Sequence, residues 1–163
     1  MNVKTFLAFS LLLSVSSCRQ QPGDNGVTQQ DIEELHALHQ QFRQLWLNND
    51  SAAVVNLFFD DAEIIPSNNR GDRVIGKDAI GRYWFPPAET TYVITGFDYI
   101  NDSLVVDRQL AFWRGQSEVG WNTVSQGKVL SSSFSRSDFI MICKKAGTKW
   151  MILRQMWNVK PKN

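Results

Sequence analysis

The sequence predicts an α+β domain in which N-terminal helices fold against a strongly curved, mostly antiparallel β-sheet. Three observations carry this. Apolar residues recur at helical spacing early in the chain, at Ile32, Leu35, Leu38, Phe42, Leu45 and Trp46. From Tyr92 onward the chain reads as strands and turns. The run Phe139–Asn158 (FIMICKKAGTKWMILRQMWN) reads as a β-hairpin turning at Ala146-Gly147-Thr148, and its second strand is apolar at both parities. A strand without a polar face needs cover on both sides, so the helices must close over it. Helices first and antiparallel strands after give the α+β class.

The 163 residues suffice for one domain with a core. With 43% apolar and 20% charged residues the composition is that of a globular chain. A net charge of +1 and the lack of a basic block argue against nucleic-acid binding. Six Trp and ten Phe suit a core with an aromatic-lined cavity.

Residues 1–17 read as a signal peptide. Lys4 opens it, Phe6 to Val15 is an apolar run too short to span a bilayer, and Val15-Ser16-Ser17-Cys18 closes it. This resembles a bacterial lipoprotein signal, which implies a lipid on Cys18 and a membrane-anchored domain in the cell envelope, outside the cytoplasm. Cys143 would then be the one remaining cysteine, which excludes an intrachain disulfide in the mature chain. Loss of Lys4 would leave 16 basic against 16 acidic residues. Residues 18–27 combine the lipidated Cys with a tether rich in Pro, Gly and polar residues.

The domain proper is placed at 28–160. Thr28 is a helix N-cap with Asp31 three residues on, and Asn48-Asn49-Asp50 ends the first helix. Asp50 or Ser51 caps a shorter helix carrying Val54, Val55, Leu57 and Phe58. Asp60 to Pro66 is a short strand, Ser67 to Arg73 a polar turn, and Gly76-Lys77-Asp78 opens a third helix that Pro86-Pro87 stops. Tyr92–Ile100 is a strand, Asn101-Asp102-Ser103 a turn, and Leu104–Arg114 the next strand. Gly115 to Ser135, polar and rich in Ser, is expected to be a long mobile excursion before the last hairpin.

The order of these pieces, with LFFDDAEIIP, GKDAI, LAFWRG and GTKWMILRQMWN, resembles the SnoaL-like branch of the nuclear-transport-factor-2-like (NTF2-like) superfamily, to which ketosteroid isomerase belongs. The resemblance covers roughly residues 31–159. It implies a cone-shaped sheet wrapped around the first helix, an apolar pocket at the open mouth, and a homodimer formed through the back of the sheet. Where ketosteroid isomerase has a tyrosine donor this chain has Phe42, and where it has an aspartate base this chain has Ile65. A phenyl ring cannot donate to a developing enolate, and an aliphatic side chain cannot carry a proton. The resemblance therefore implies the container without that chemistry.

Glu63 is the candidate catalytic residue. Strand alternation puts Asp61, Glu63 and Ile65 on one face. If that face is the pocket, Glu63 is a carboxylate among apolar rings, the setting a general base needs. Gln155, where many relatives carry a carboxylate, is expected to orient a polar group of the ligand, as is Asn158. Phe42, Trp46, Ile65, Trp84, Trp113 and Trp157 are the expected ligand-binding lining, with Tyr83 a further possibility. Arg108 and Arg114 are read as surface residues, although either at the mouth would pair with an anion. His36 and His39 stand at metal-ligand spacing, but no third ligand stands nearby in the sequence; both are read as polar helix positions. No metal, cofactor, phosphate loop or nucleophile motif is expected. The leading expectation is a lipid-anchored domain binding a small, mainly apolar molecule. Two alternatives stand beside it: an acid–base lyase, isomerase or hydrolase using Glu63, and a dimeric interaction module without catalysis.

Overall fold

A computed structural model describes residues 26–67 and 73–161. The signal peptide, Cys18 and most of the tether lie outside the described residues, as does most of the Ser67–Arg73 turn. Three helices come first, α1 (Gln29–Leu47), α2 (Ser51–Asn56) and α3 (Lys77–Trp84). Among the described residues the strands form one six-stranded sheet: β1 (Phe58–Ile65), β2 (Val74–Ile75), β3 (Thr90–Asp107), β4 (Leu110–Ser125), β5 (Lys128–Ala146) and β6 (Lys149–Val159). Their order across it is β2-β1-β6-β5-β4-β3, antiparallel throughout except where β1 runs parallel to β6. The α+β architecture is the one the sequence predicts.

Local chemistry explains the helix starts. At the head of α1, the Thr28 hydroxyl accepts from the Asp31 backbone N–H at 3.1 Å, and the Asp31 carboxylate accepts from the Thr28 N–H at 3.0 Å. This capping box satisfies two of the donors that a helix N-terminus leaves open. Asp50 caps α2 through the Ala53 N–H at 3.0 Å. Gly76 precedes α3 at φ +94°, a conformation that costs glycine nothing. The α1 stripe buries Leu35, Leu38 and Phe42 against Val54, Phe58, Ile64, Ile80, Met141 and Ile152, the centre of the core.

Three expectations for the sheet need correction. Leu104–Arg114 is not one strand: Asp107 pairs with Leu110, and Arg108 takes φ +52° in a two-residue turn that carries no Gly, Pro or Asn. Asn101-Asp102-Ser103 is not a turn but a bulge inside β3, with Asn101 at φ +51°. Gly115–Ser135 is not an excursion. It forms the outer arms of β4 and β5, which pair up to Ser125–Lys128 with one register shift, where Leu130 bulges between Val129 and Ser131. Gln126 (φ +48°) and Gly127 (φ +74°) make the tight turn between them, and two positive φ angles suit the twist of a hairpin. The expected hairpin of β5 and β6 is present, with Gly147 at φ +63°.

Candidate functional site: an aromatic cup with buried polar groups

Register fixes the two faces of the sheet. Leu104, Trp113, Met141, Gln155 and Ile64 stand side by side across β3, β4, β5, β6 and β1. Trp113 lies on a ring of α1, so this row faces the helix. Strand alternation puts the neighbouring row, Val105, Phe112, Ile142, Arg154, Glu63 and Ile75, on the outer face.

On the helix side the aromatic residues form one continuous cluster, here called the aromatic cup. Phe42 packs edge-on against Phe58, Phe97 and Trp46 at centroid distances of 6.1, 6.1 and 6.2 Å. Trp84 meets Trp46 at 5.3 Å, Phe58 at 5.4 Å and Trp157 at 6.3 Å. Such geometries add about 0.5–1.5 kcal/mol per pair beyond area burial. Phe42 and Phe58 are fully buried, whereas Trp46, Trp84 and Trp157 are half-buried and form the outer rim of the cluster.

Polar groups line the same interior. His39, on α1, is stacked between Tyr99 and Trp113 with centroids 3.7 Å from each. Its Nδ1 is 3.8 Å from Asp102 Oδ2, and that carboxylate accepts from the Trp113 indole N–H at 2.7 Å. The β3 bulge brings Asp102 inward, opposite Gly115. A Cβ on Gly115 would lie 2.7 Å from the Asp102 Cα, so only glycine fits there. Burial pushes the His39 imidazole down to about 4 despite the nearby Asp102 carboxylate. Burial also raises the Tyr99 phenol well above its ordinary range, reinforced by Asp102, so it stays a neutral donor. His39 Nε2, the Tyr99 hydroxyl and Gln155 Oε1 are buried and make no hydrogen bond among the described residues. A buried polar group without a partner costs about 1–3 kcal/mol, so these three mark places where a polar atom of a bound molecule would be favoured.

The expected site residues divide between the two faces. Phe42, Trp46, Trp84 and Trp157 come together in the cup, and Gln155 shares its face of β6 with Trp157. Trp113 belongs to the core under His39. Two expectations need correction. Glu63 and Ile65 do share a face, but it is the outer one, because Ile64 takes the inward position beside Gln155. Glu63 is buried among cations, with Arg154 Nε at 3.1 Å and Arg73 Nη1 at 3.5 Å, rather than among apolar rings. Ile65 stands opposite Met156 and is 40% exposed. Tyr83 and Asn158 are also exposed, as are Arg108 in its turn and Arg114, whose guanidinium donates to Ser103.

His39, Tyr99 and Asp102 escape sequence reasoning. His39 fits the α1 stripe only as a polar interruption, and Asp102 reads as a turn residue until the bulge is seen. Asp31 is a second omission. Beyond its capping role it is buried, bonded to the Lys145 ammonium and to the Trp150 indole N–H at 3.0 Å. The Lys145 ammonium, then Thr28 and Trp150, hold its carboxyl well below the usual range. Among the described residues no group of three or more His, Cys, Asp or Glu side chains is placed to hold a metal ion.

No protein-family model matches the sequence, and no curated protein matches it either. The fold does have counterparts among solved structures. A ketosteroid isomerase-like protein from Erwinia carotovora atroseptica superposes with a TM-score of 0.63 at 12% identity, over 83% of this chain and 100% of its own. An NTF2-like protein of unknown function from Pseudomonas putida gives 0.58 at 14% identity, over 84% and 92%. A candidate calcium/calmodulin-dependent kinase II association domain from Exiguobacterium sibiricum gives 0.67 at 11% identity, over 84% and 98%. At such identities the likeness is one of architecture, and the helices, the curved sheet and its strand order together give this chain the NTF2-like fold.

Proposed function

We propose that the domain binds a small, mainly apolar molecule in the aromatic cup, and that it does so without ketosteroid-isomerase chemistry. The observation that carries this is the pairing of a half-buried tryptophan rim, Trp46, Trp84 and Trp157, with inner-face polar atoms that no protein group satisfies, the Tyr99 hydroxyl and Gln155 Oε1. Rings supply apolar contact area, and one donor and one acceptor fix orientation, as small-molecule sites generally require. Neither polar group is suited to exchange a proton near neutral pH: the phenol is held protonated, and an amide has no accessible pKa. Glu63 lies across the sheet in ion pairs, so the alternative of acid–base catalysis from Glu63 loses its geometry.

The test is capture. The purified chain is incubated with a mixture of hydrophobic small molecules, then examined by native mass spectrometry and crystallography. A retained molecule is expected against Trp84 and Trp157. Trp84→Ala should weaken its binding by about tenfold or more, the scale of a lost aromatic contact. Failure to retain any molecule, or retention that ignores Trp84→Ala, defeats the reading.

Two further parts of the proposal concern context. The Val15-Ser16-Ser17-Cys18 motif supports lipidation at Cys18 and attachment to a bacterial membrane in the cell envelope. Globomycin-sensitive processing and palmitate incorporation, both lost in Cys18→Ala, would test it. The outer sheet face exposes Val105, Phe112, Ile140, Met156, Ile65 and Ile75, an apolar patch that suits a homodimer.

A further inference from the structure

Beyond the aromatic cup the helix face of the sheet changes character. Pairing across β4 and β5 puts Ser117 beside Ser137, Val119 beside Ser135, and Trp121 beside Ser133. These three rows share one face and follow one another about 7 Å apart. The first row continues to Val159, two residues beyond Trp157 on the same face of β6. The second continues to Phe97, which packs on Phe42 of α1. The Ser117–Ser137 row thus lies between two rings of the cup.

Along these rows the helix face carries no charge. Glu118, Arg136 and Asp138 have the opposite parity and stand on the outer face. A core strand would fill the inward positions with apolar groups, and a solvated face would carry charges. Ser117 and Ser137 are only 8% and 5% exposed, and neither hydroxyl makes a hydrogen bond among the described residues. Trp121 is half-buried, lies outside both the core and the cup, and has no ring packed on it among the described residues. A groove of about 840 Å³ opens alongside, lined by Ser132–Arg136 and Val159–Pro161. Both cations on its border are paired, Arg136 with Glu118 at 2.7 Å and Lys160 with Asp138 at 3.1 Å.

We propose that this strip binds the head of the molecule whose apolar part the cup holds, and that the head is neutral and rich in hydroxyls, as a sugar or polyol is. Resting on the reading that the cup takes an apolar group, this makes the ligand a neutral amphiphile. A serine hydroxyl both donates and accepts, as a sugar hydroxyl does, so the two pair in either sense. A pyranose ring adds C–H faces suited to an indole such as that of Trp121. A phosphate or carboxylate head would leave water without meeting an unpaired cation along these rows, and an ammonium head would meet no carboxylate. A wholly apolar ligand would leave the Ser117 and Ser137 hydroxyls without partners.

Calorimetric titration of the purified chain with octanol, octyl glucoside and octyl phosphate, each below its micelle concentration, tests the proposal on one shared tail. Octyl glucoside should bind roughly tenfold or more tightly than octanol, the scale of a few added hydrogen bonds, and octyl phosphate no more tightly than octanol. Ser117→Ala with Ser137→Ala removes two oxygens and no carbon. It should abolish most of the glucoside's advantage and leave octanol binding within about twofold. Trp121→Ala should likewise weaken the glucoside alone. Because that variant can loosen the sheet, Trp121→Phe is run beside it and should keep most of the advantage. Octanol bound and the glucoside no tighter, or octyl phosphate tightest of the three, overturns the hydroxyl-rich head and leaves the cup standing. So does a glucoside advantage that survives the serine and Trp121 variants. No binding of any octyl compound overturns the cup and the head site together.

Discussion

Asp31 and His39, the two buried polar residues of α1, solve burial in opposite ways. Asp31 is charged and saturated, with Lys145, Trp150, and the Thr28 hydroxyl and backbone N–H all donating to its carboxylate. His39 is kept neutral, stacked between two rings, with one nitrogen facing Asp102 and the other unpaired. The difference follows from solvation. A carboxylate leaves water only when donors replace its hydration shell, whereas an imidazole avoids the penalty by giving up its proton. The N-terminus of α1 is thus pinned by charge to the β5–β6 hairpin, and its middle is held by stacking.

Substitutions at each anchor should separate these modes. Asp31→Ala is expected to be the most damaging, because it leaves the Lys145 ammonium and the Trp150 N–H without their acceptor and removes the helix cap. Asp31→Asn should fall between it and wild type; urea unfolding at pH 7 gives the ranking. His39 should act through pH. Its folded pKa lies below the unfolded value, so as pH falls from about 6.5 the unfolded chain takes up a proton that the folded chain refuses. The stability that His39 contributes is full above pH 6.5 and is lost by pH 4, a difference of about 3 kcal/mol. His39→Phe should keep the stack and flatten the profile between pH 6.5 and 4.5, above the window in which Asp31 titrates. A slope that survives in His39→Phe would assign it elsewhere. Glu63→Gln should have the smallest effect, about 1 kcal/mol or less, because its partner Arg154 is well exposed and screened. Ligand capture by that variant should match wild type, since the outer face does not touch the cup.

The same physics decides what the sequence makes legible. The last hairpin is readable because its turn holds Gly147 and both strands are apolar. The α1 stripe is readable because Leu35, Leu38 and Phe42 repeat at helical spacing. Arg108-Gln109 is invisible as a turn, since neither residue favours positive φ; the pairing of the flanking strands imposes it. The arms from Gly115 to Ser135 resemble a loop because serines and threonines carry the inward positions near the mouth, where less apolar cover is available. Parity places Glu63 and Ile65 on one face, but alternation cannot say which face is which. That needs the parallel register of β1 on β6, a contact between residues about ninety positions apart. His39 and Asp102 require more again, a bulge and a glycine opposite it.

Cys143 carries one more consequence. It sits between Ala111 and Ile152 at the centre of the sheet, and burial pushes its thiol up to about 12. If Cys18 carries the proposed lipid, the processed chain would present no reactive thiol while folded. Alkylation by a maleimide would then proceed only through openings of the sheet's middle, and its rate becomes a built-in clock for how often those strands part.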